Sequence, residues 1–296
     1  MHIRIATRNS PLAVTQSLIV ANLIQNQYPK LNFELVKLKT KGDILVEHSL
    51  SKVSGKGLFI KEIEQALIDN YADIAVHSMK DIPVQENKEL EIKCFIKRGD
   101  PRDVFISTKY ESFLALPKYS SIGTSSHRRR GQILALRPDL KVKNIRGNID
   151  TRINKMKGNC VDAIILAASG LKRNRLSKAI NHYFDIDKFL PAIAQGVIGV
   201  QNRVNNTKVK HLLRSLNHKV TQLAVNAERS FLKNFNGNCS TPIASYCHIC
   251  GDRMILRSGY FFENGSSQFY TIEEGNLYQG EMLGIRSSER IKKMIL

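Results

Sequence analysis

Long apolar runs are missing from this 296-residue chain. Nothing in it approaches the roughly 18 to 20 consecutive apolar residues that a membrane-crossing helix needs. The opening Met-His-Ile-Arg-Ile-Ala-Thr-Arg also lacks a secretory apolar segment, so the expectation is a soluble, cytoplasmic protein. Cysteine is scarce, odd in number and irregularly spaced, at Cys94, Cys160, Cys239, Cys247 and Cys250. That fits reduced thiols better than a disulfide framework, and no structural disulfide is expected. No Gly-x4-Gly-Lys-Ser/Thr occurs and no Gly-x-Gly-x-x-Gly follows a strand-like run, which argues against nucleotide enzymes of those classes. Low-complexity tracts and fixed-period repeats are absent too, which excludes solenoids.

Acidic residues are also in short supply. The chain has 45 Lys and Arg against 26 Asp and Glu, a formal net charge of +19. The excess is concentrated between Ser121 and Arg175, where thirteen basic residues stand against three Asp. Such a field attracts polyanions without saying which kind. The same stretch contains no Phe, Tyr or Trp, so the stacking platforms that single-stranded nucleic acid needs are missing. The anion expected is therefore a small, carboxylate- or phosphate-bearing molecule, with no nucleic-acid or membrane partner.

What is present reads as alternating strands and helices. Residues 2–6 form a strand, and Ser10-Pro11 supplies an N-cap and first-turn proline for a helix to about Tyr28. A strand follows over 33–38, then a Gly-, Ser- and Lys-rich stretch from Gly42 to Gly57 expected to be a mobile loop. Helical periodicity over 58–70 leads into the apolar strand Ala72–Ser78, which ends in the polar run His77-Ser-Met-Lys-Asp81. The arrangement recurs with a strand over 142–145, a helix from Thr151 to Lys157 and the strand Val161–Ala167. Strands alternating with helices predict parallel sheets, with ligands beyond the carboxyl ends of the strands, in a cleft between two domains. The chain divides on this reading into domain 1 (1–97 and 196–216), domain 2 (101–191) and a smaller α+β domain 3 (219–296). Domain 3 has a helix from Thr221 to Asn234 and short strands near 253–256 and 268–272.

Three constellations carry candidate chemistry. Gly123-Thr-Ser-Ser-His-Arg-Arg-Arg-Gly131 joins a strand end to a helix start, with Ser125 or Ser126 as N-cap. It is either an anion clamp, with small residues exposing backbone N–H groups beside guanidinium forks, or a capped helix with a solvated basic face. Arg146-Gly147-Asn148 with Thr151-Arg152 repeats that logic, Gly147 permitting a left-handed turn or close ligand approach. The third is the end of the 72–78 strand. There Asp81 can accept N–H hydrogen bonds or stabilise a cationic nitrogen, whereas His77 is expected to be a packed histidine. Cys247-His-Ile-Cys250 with Cys239 approaches zinc-ligand spacing but lacks a fourth ligand, so no metal is expected. The most informative segment is Ala227-Glu-Arg-Ser-Phe-Leu-Lys-Asn-Phe-Asn-Gly-Asn-Cys239-Ser-Thr-Pro242, where a helix delivers a thiol onto a loop.

Taken in order, Arg8-Asn-Ser-Pro-Leu-Ala13, Gly55-Lys-Gly-Leu-Phe59, Val76-His-Ser-Met-Lys-Asp-Ile-Pro83, Arg98-Gly-Asp-Pro-Arg-Asp103, Gly123–Ser126 with Arg128-Arg129, Arg146-Gly-Asn148, Thr151-Arg152, Ala167–Arg173, Pro191-Ala192, Gln195-Gly196 and the Cys239 segment resemble the porphobilinogen deaminase family. The resemblance implies two α/β domains like those of periplasmic binding proteins around a cleft, plus a smaller C-terminal α+β domain. It implies a monomeric transferase of tetrapyrrole and heme biosynthesis. A dipyrromethane cofactor is held covalently on Cys239, and four porphobilinogens are condensed head to tail with loss of ammonia, releasing hydroxymethylbilane. Each pyrrole carries an acetate and a propionate, which accounts for the basic excess. By the same resemblance Asp81 is catalytic. Cofactor and substrate are held by Arg8, Ser10, Gln16, Ser78, Lys80, Thr124, Ser125, Ser126, Arg128, Arg129, Arg146, Gly147, Asn148, Arg152, Ala167, Gly170, Arg173 and Gln195, with Lys56 and Phe59 on a covering loop. His127, Arg130, Asp150, Gln201 and Asn238 stand where the family usually has Leu, Gln, Gly, Glu and Gly. The alternative is a catalytically degenerate anion-binding protein of the two-domain solute-binding type.

Overall fold

The computed structural model describes residues 2–40, 60–84, 87–238 and 240–296. The expected loop over 42–57, with Lys56 and Phe59, and Cys239 itself lie outside the described residues. The chain forms two compact units, one of 1–98 with 197–222 and one of 99–196 with 223–296.

In the first unit, β1 (His2–Arg8), β2 (Asn32–Leu38), β3 (Ile74–Ser78), β4 (Leu90–Phe95) and β10 (Ile198–Arg203) form one sheet in the order β2-β1-β3-β10-β4. β1 runs parallel to β2 and β3, whereas β10 is antiparallel to β3 and β4. The sheet is therefore mixed rather than all parallel, because the chain comes back into it from the opposite direction. Alternation sorts the strand residues onto two faces. Ile3, Ile5 and Val76 pack on one side with Val20 and Ile24 of α1 (Pro11–Gln27) and Leu212 of α6 (Thr207–Leu216). Ala6 and Ala75 pack on the other side with Ile63 and Leu67 of α2 (Lys61–Ile68). Covering both faces is what makes Ile74, Ala75 and Val76 of β3 apolar and buried in succession.

The second unit has an equivalent sheet in the order β7-β6-β8-β5-β9, from β5 (Asp103–Ile106), β6 (Ser121–Gly123), β7 (Lys141–Lys143), β8 (Ala163–Ala167) and β9 (His182–Tyr183). β6 is parallel to β7 and β8, and β5 is antiparallel to β8 and β9. Ile133 of α3 (His127–Leu136) packs with Phe105, Ile122 and Ile165 on one face. Ile153 and Met156 of α4 (Ile149–Lys157) and Leu171 of α5 (Ala168–Arg173) pack with Val104, Ile164 and Leu166 on the other. The same unit contains an antiparallel sheet of β11 (Ile243–Cys250), β12 (Arg253–Phe261) and β13 (Gln268–Asn276), backed by α8 (Gly280–Ile295) and by the part of α7 (Lys219–Phe235) from Leu223 onward. β11 was not anticipated, and β12 and β13 run longer than expected. Gly251 at φ +61 turns the two-residue β11–β12 hairpin, which sets the register down to Ile243 opposite Tyr260. Along β11 Cys247 is buried and Cys250 exposed; an odd spacing puts them on opposite faces, so they cannot ligate one ion together. No described helix is long and apolar enough to cross a membrane.

Candidate active site

In the first unit the polar residues gather where β1 and β3 end. Ser10 is the N-cap of α1, its hydroxyl accepting from Ala13 N at 3.4 Å, with Pro11 in the first turn. Gln16 is buried one and a half turns along α1, and its Nε2 donates to Ser78 Oγ at 2.9 Å. A 3₁₀ turn over Met79–Asp81 follows β3 and leaves Asp81 exposed, with Lys80 half-buried. Arg8, Ser10, Gln16, Ser78 and Asp81 thereby line one pocket of about 60 Å³, together with His77. His77 is packed, as expected. Its Nε2 lies 2.9 Å from Gln201 Oε1, and burial pushes the imidazole down to about 4, so it is neutral at physiological pH.

In the second unit Ser126, not Ser125, caps α3, accepting from Arg129 N at 3.4 Å. Ser125 instead donates to Ile145 O at 2.6 Å, and Thr124 Oγ1 accepts from Ser126 N at 3.2 Å. Thr124, Ser125 and Ser126 line a pocket of about 340 Å³ with His127, Arg130, Asn144, Glu263 and Asn264. His127 Nδ1 stands 2.7 Å from Glu263 Oε2.

The solvated-face reading of the arginine run does not hold for Arg128 and Arg129, which are 4% and 5% exposed. Both close on Asp103, a residue with no solvent exposure at the head of β5. Arg128 Nη1 donates to Asp103 Oδ2 at 2.7 Å and to Leu190 O at 2.5 Å. Arg129 donates to Asp103 Oδ1 through Nε at 3.1 Å and Nη2 at 2.6 Å, and to Ile165 O through Nη1 at 2.9 Å. Gln195 Nε2 adds a third donor to Oδ1 at 3.0 Å. Burial alone would raise the Asp103 carboxyl, but the two guanidinium charges and their hydrogen bonds hold it well below the usual carboxylate range. Burial and the like charge of Arg129 lower Arg128 despite Asp103. Asp103 was missed as a site residue in the sequence. The available signal was an acid opening an otherwise apolar strand, Asp103-Val-Phe-Ile.

The second arginine loop has a helix-cap role inside it. Asn148, expected to line the anion wall, is the N-cap of α4, which begins at Ile149 rather than Thr151; its Oδ1 accepts from Thr151 N and Oγ1, both at 2.8 Å. Gly147 takes φ +118, with its carbonyl accepting from Arg152 Nε at 2.8 Å, and Arg146 is exposed beside it. Ala167 ends β8 opposite Asp103 in the β5–β8 pair, and Gly170 is buried in α5. Arg173 is largely buried, donates to Gly196 O at 2.5 Å, and is pulled down to about 10 by burial, with no carboxylate partner among the described residues.

A family model described as the dipyrromethane cofactor binding domain of porphobilinogen deaminase matches residues 3–211, and the C-terminal domain of the same enzyme matches residues 222–293. The chain belongs to the porphobilinogen deaminase family. Porphobilinogen deaminases are transferases of tetrapyrrole biosynthesis that make hydroxymethylbilane, and the larger domain binds a dipyrromethane cofactor. Solved structures to which the chain is similar include a periplasmic substrate-binding protein of an ABC transporter from Coxiella burnetii, 14% identical over 74% of this chain and 93% of that one, TM-score 0.46. Another is a periplasmic binding protein of high arginine specificity from Salmonella typhimurium, 13% identical over 74% of this chain and 93% of that one, TM-score 0.43. The residues present fit a porphobilinogen deaminase cofactor rich in carboxylates. Arg128 and Arg129 together bring two charges to the single charge of Asp103. Three N–H groups of Arg128 (Nε and Nη2) and two of Arg129 have no acceptor among the described residues.

Proposed function

We propose that the chain is a porphobilinogen deaminase that condenses four porphobilinogens head to tail, with loss of ammonia, onto a dipyrromethane tethered to Cys239. The observation that carries this reading is the match of both family domains in order over 3–211 and 222–293. Cys239 forms the thioether to the cofactor. When bound, the dipyrromethane supplies the free α-carbon at which the chain grows. Asp81 accepts the pyrrole N–H and stabilises the positive charge that develops as the aminomethyl C–N bond breaks and ammonia leaves with the electron pair. Its exposed place beside Arg8 and Ser10 supports that role, since a carboxylate there can reach a ligand while neighbouring donors hold acetate and propionate groups. Lys80, Gln16 and Ser78 belong to the same set. Arg128, Arg129, Arg146, Arg152, Arg173 and Gln195 hold carboxylates from the second unit, with Thr124, Ser125, Ser126, Gly147, Asn148, Ala167 and Gly170 supplying backbone and hydroxyl contacts. Lys56 and Phe59 complete the set on a covering loop, and the enzyme works as a cytoplasmic monomer.

The intact mass of the purified protein tests this, followed by peptide mapping around Cys239. A surplus of two linked pyrroles on Cys239, growing stepwise when porphobilinogen is added, is the expected result. An unmodified thiol that gains nothing from added porphobilinogen would replace this reading with a degenerate anion-binding protein.

A further inference from the structure

We infer that Asp103 is a positioning residue for ligand binding, a proposal that rests on the deaminase reading. Its two oxygens divide between consecutive arginines: Oδ2 takes Arg128 Nη1, and Oδ1 takes Nε and Nη2 of Arg129 together with Gln195 Nε2. Each guanidinium is also anchored on a backbone carbonyl, Leu190 O for Arg128 and Ile165 O for Arg129. Two fixed points determine the plane of a guanidinium, because its donors form a rigid fork. The five N–H groups that remain are therefore aimed in set directions. The cluster keeps one positive charge more than it neutralises, in a place where no described acceptor competes for it. Such a cluster is complementary to one further carboxylate. Asp103 contacts no ligand in this scheme; it acts by holding the two arginines that do.

Asp103→Asn preserves shape but presents an amide donor to one arginine, which must then swing away. A role limited to moderating charge predicts the opposite, since removing the negative charge would tighten anion binding. A cycle of D103N, R129Q and the double variant separates the cases. D103N is expected to raise KM for porphobilinogen on the order of 30-fold or more with kcat little changed, and to add nothing in the R129Q background. The fraction of purified protein carrying the mass surplus should fall in parallel. The Arg129 Nε–H resonance should be protected from exchange in the wild type, where it donates to Asp103, and should exchange with solvent in D103N. An unchanged or lowered KM, or costs that add in the double variant, would overturn the proposal. Arg129→Lys covers the case in which D103N does not fold. It keeps the charge but cannot span Asp103 and Ile165 O, so it should be as impaired as R129Q, and a lysine variant equal to wild type would also overturn the proposal. A wild type that neither carries the surplus nor consumes porphobilinogen removes the deaminase reading and this proposal with it, whereas a working wild type matched by D103N removes this proposal alone.

Discussion

Replacing Gln201 by Glu should raise the pKa of the buried His77 back toward the ordinary imidazole value. His77 sits on β3 with its Nε2 2.9 Å from Gln201 Oε1, and Gln201 Nε2 donates to Glu64 Oε1 at 2.9 Å. The carboxylate of Glu64 can only accept, so it fixes the amide orientation, leaves the Gln201 oxygen facing the imidazole and places the His77 proton on Nε2. Burial pushes His77 from 6.5 down to about 4, and the neutral amide returns only part of that. The folded pKa is depressed, so the unfolded chain binds more protons between the two values. The contribution of this residue to stability is fully present above about pH 6.5 and is lost as pH falls through about 4, some 3 kcal/mol in all. A carboxylate at position 201 would favour the imidazolium and raise the His77 pKa by about 1 to 3 units. The new charge would also stand beside Glu64, which further favours a proton on the histidine. Carbon-13 NMR of labelled histidines, with His77→Gln to assign the resonance, reads both values. Titration of His77 near 6.5 in the wild type, or an unmoved titration in Q201E, would refute the reasoning.

Asp81→Asn should keep its unfolding midpoint, because the side chain is exposed, yet lose at least about 100-fold in turnover, measured as porphobilinogen consumption; near-normal activity would take Asp81 out of the mechanism. Cys239→Ser should show no mass surplus and no product, and a fully active variant would sink the covalent tether. Gly147→Ala should destabilise by about 1 to 3 kcal/mol, because residue 147 holds φ +118 and an added Cβ would meet Thr151 Cγ2 at 2.6 Å; an unchanged denaturation midpoint would show that the loop relaxes at no cost.

Much of the local structure was legible because short-range rules decide it. Ser10-Pro11 marked the start of α1, since an N-cap hydroxyl and a fixed proline φ act within one turn. The polar run after Ala72–Val76 marked a strand end. Between Ser125 and Ser126 the pattern did not choose, and it placed α4 two residues late by overlooking Asn148 as its cap. β11 was missed because only its hairpin partner makes sense of a strand whose outward residues include His248 and Cys250.

The residues by themselves determined most element types, β11 excepted, the strand-end location of the polar groups, the excess of positive charge and, through ordered motifs, the family. Only the tertiary structure decided the sheet order, with β10 and β5 antiparallel in otherwise parallel sheets, and the partners of the buried charges. Asp103 lies 25 and 26 positions from Arg128 and Arg129 and 92 from Gln195, and His77 lies 124 from Gln201. Contacts over such distances depend on how whole sheets pair and pack. A local pattern of charge and periodicity carries no record of that, so it showed three arginines in a row but not that two of them are buried on one carboxylate.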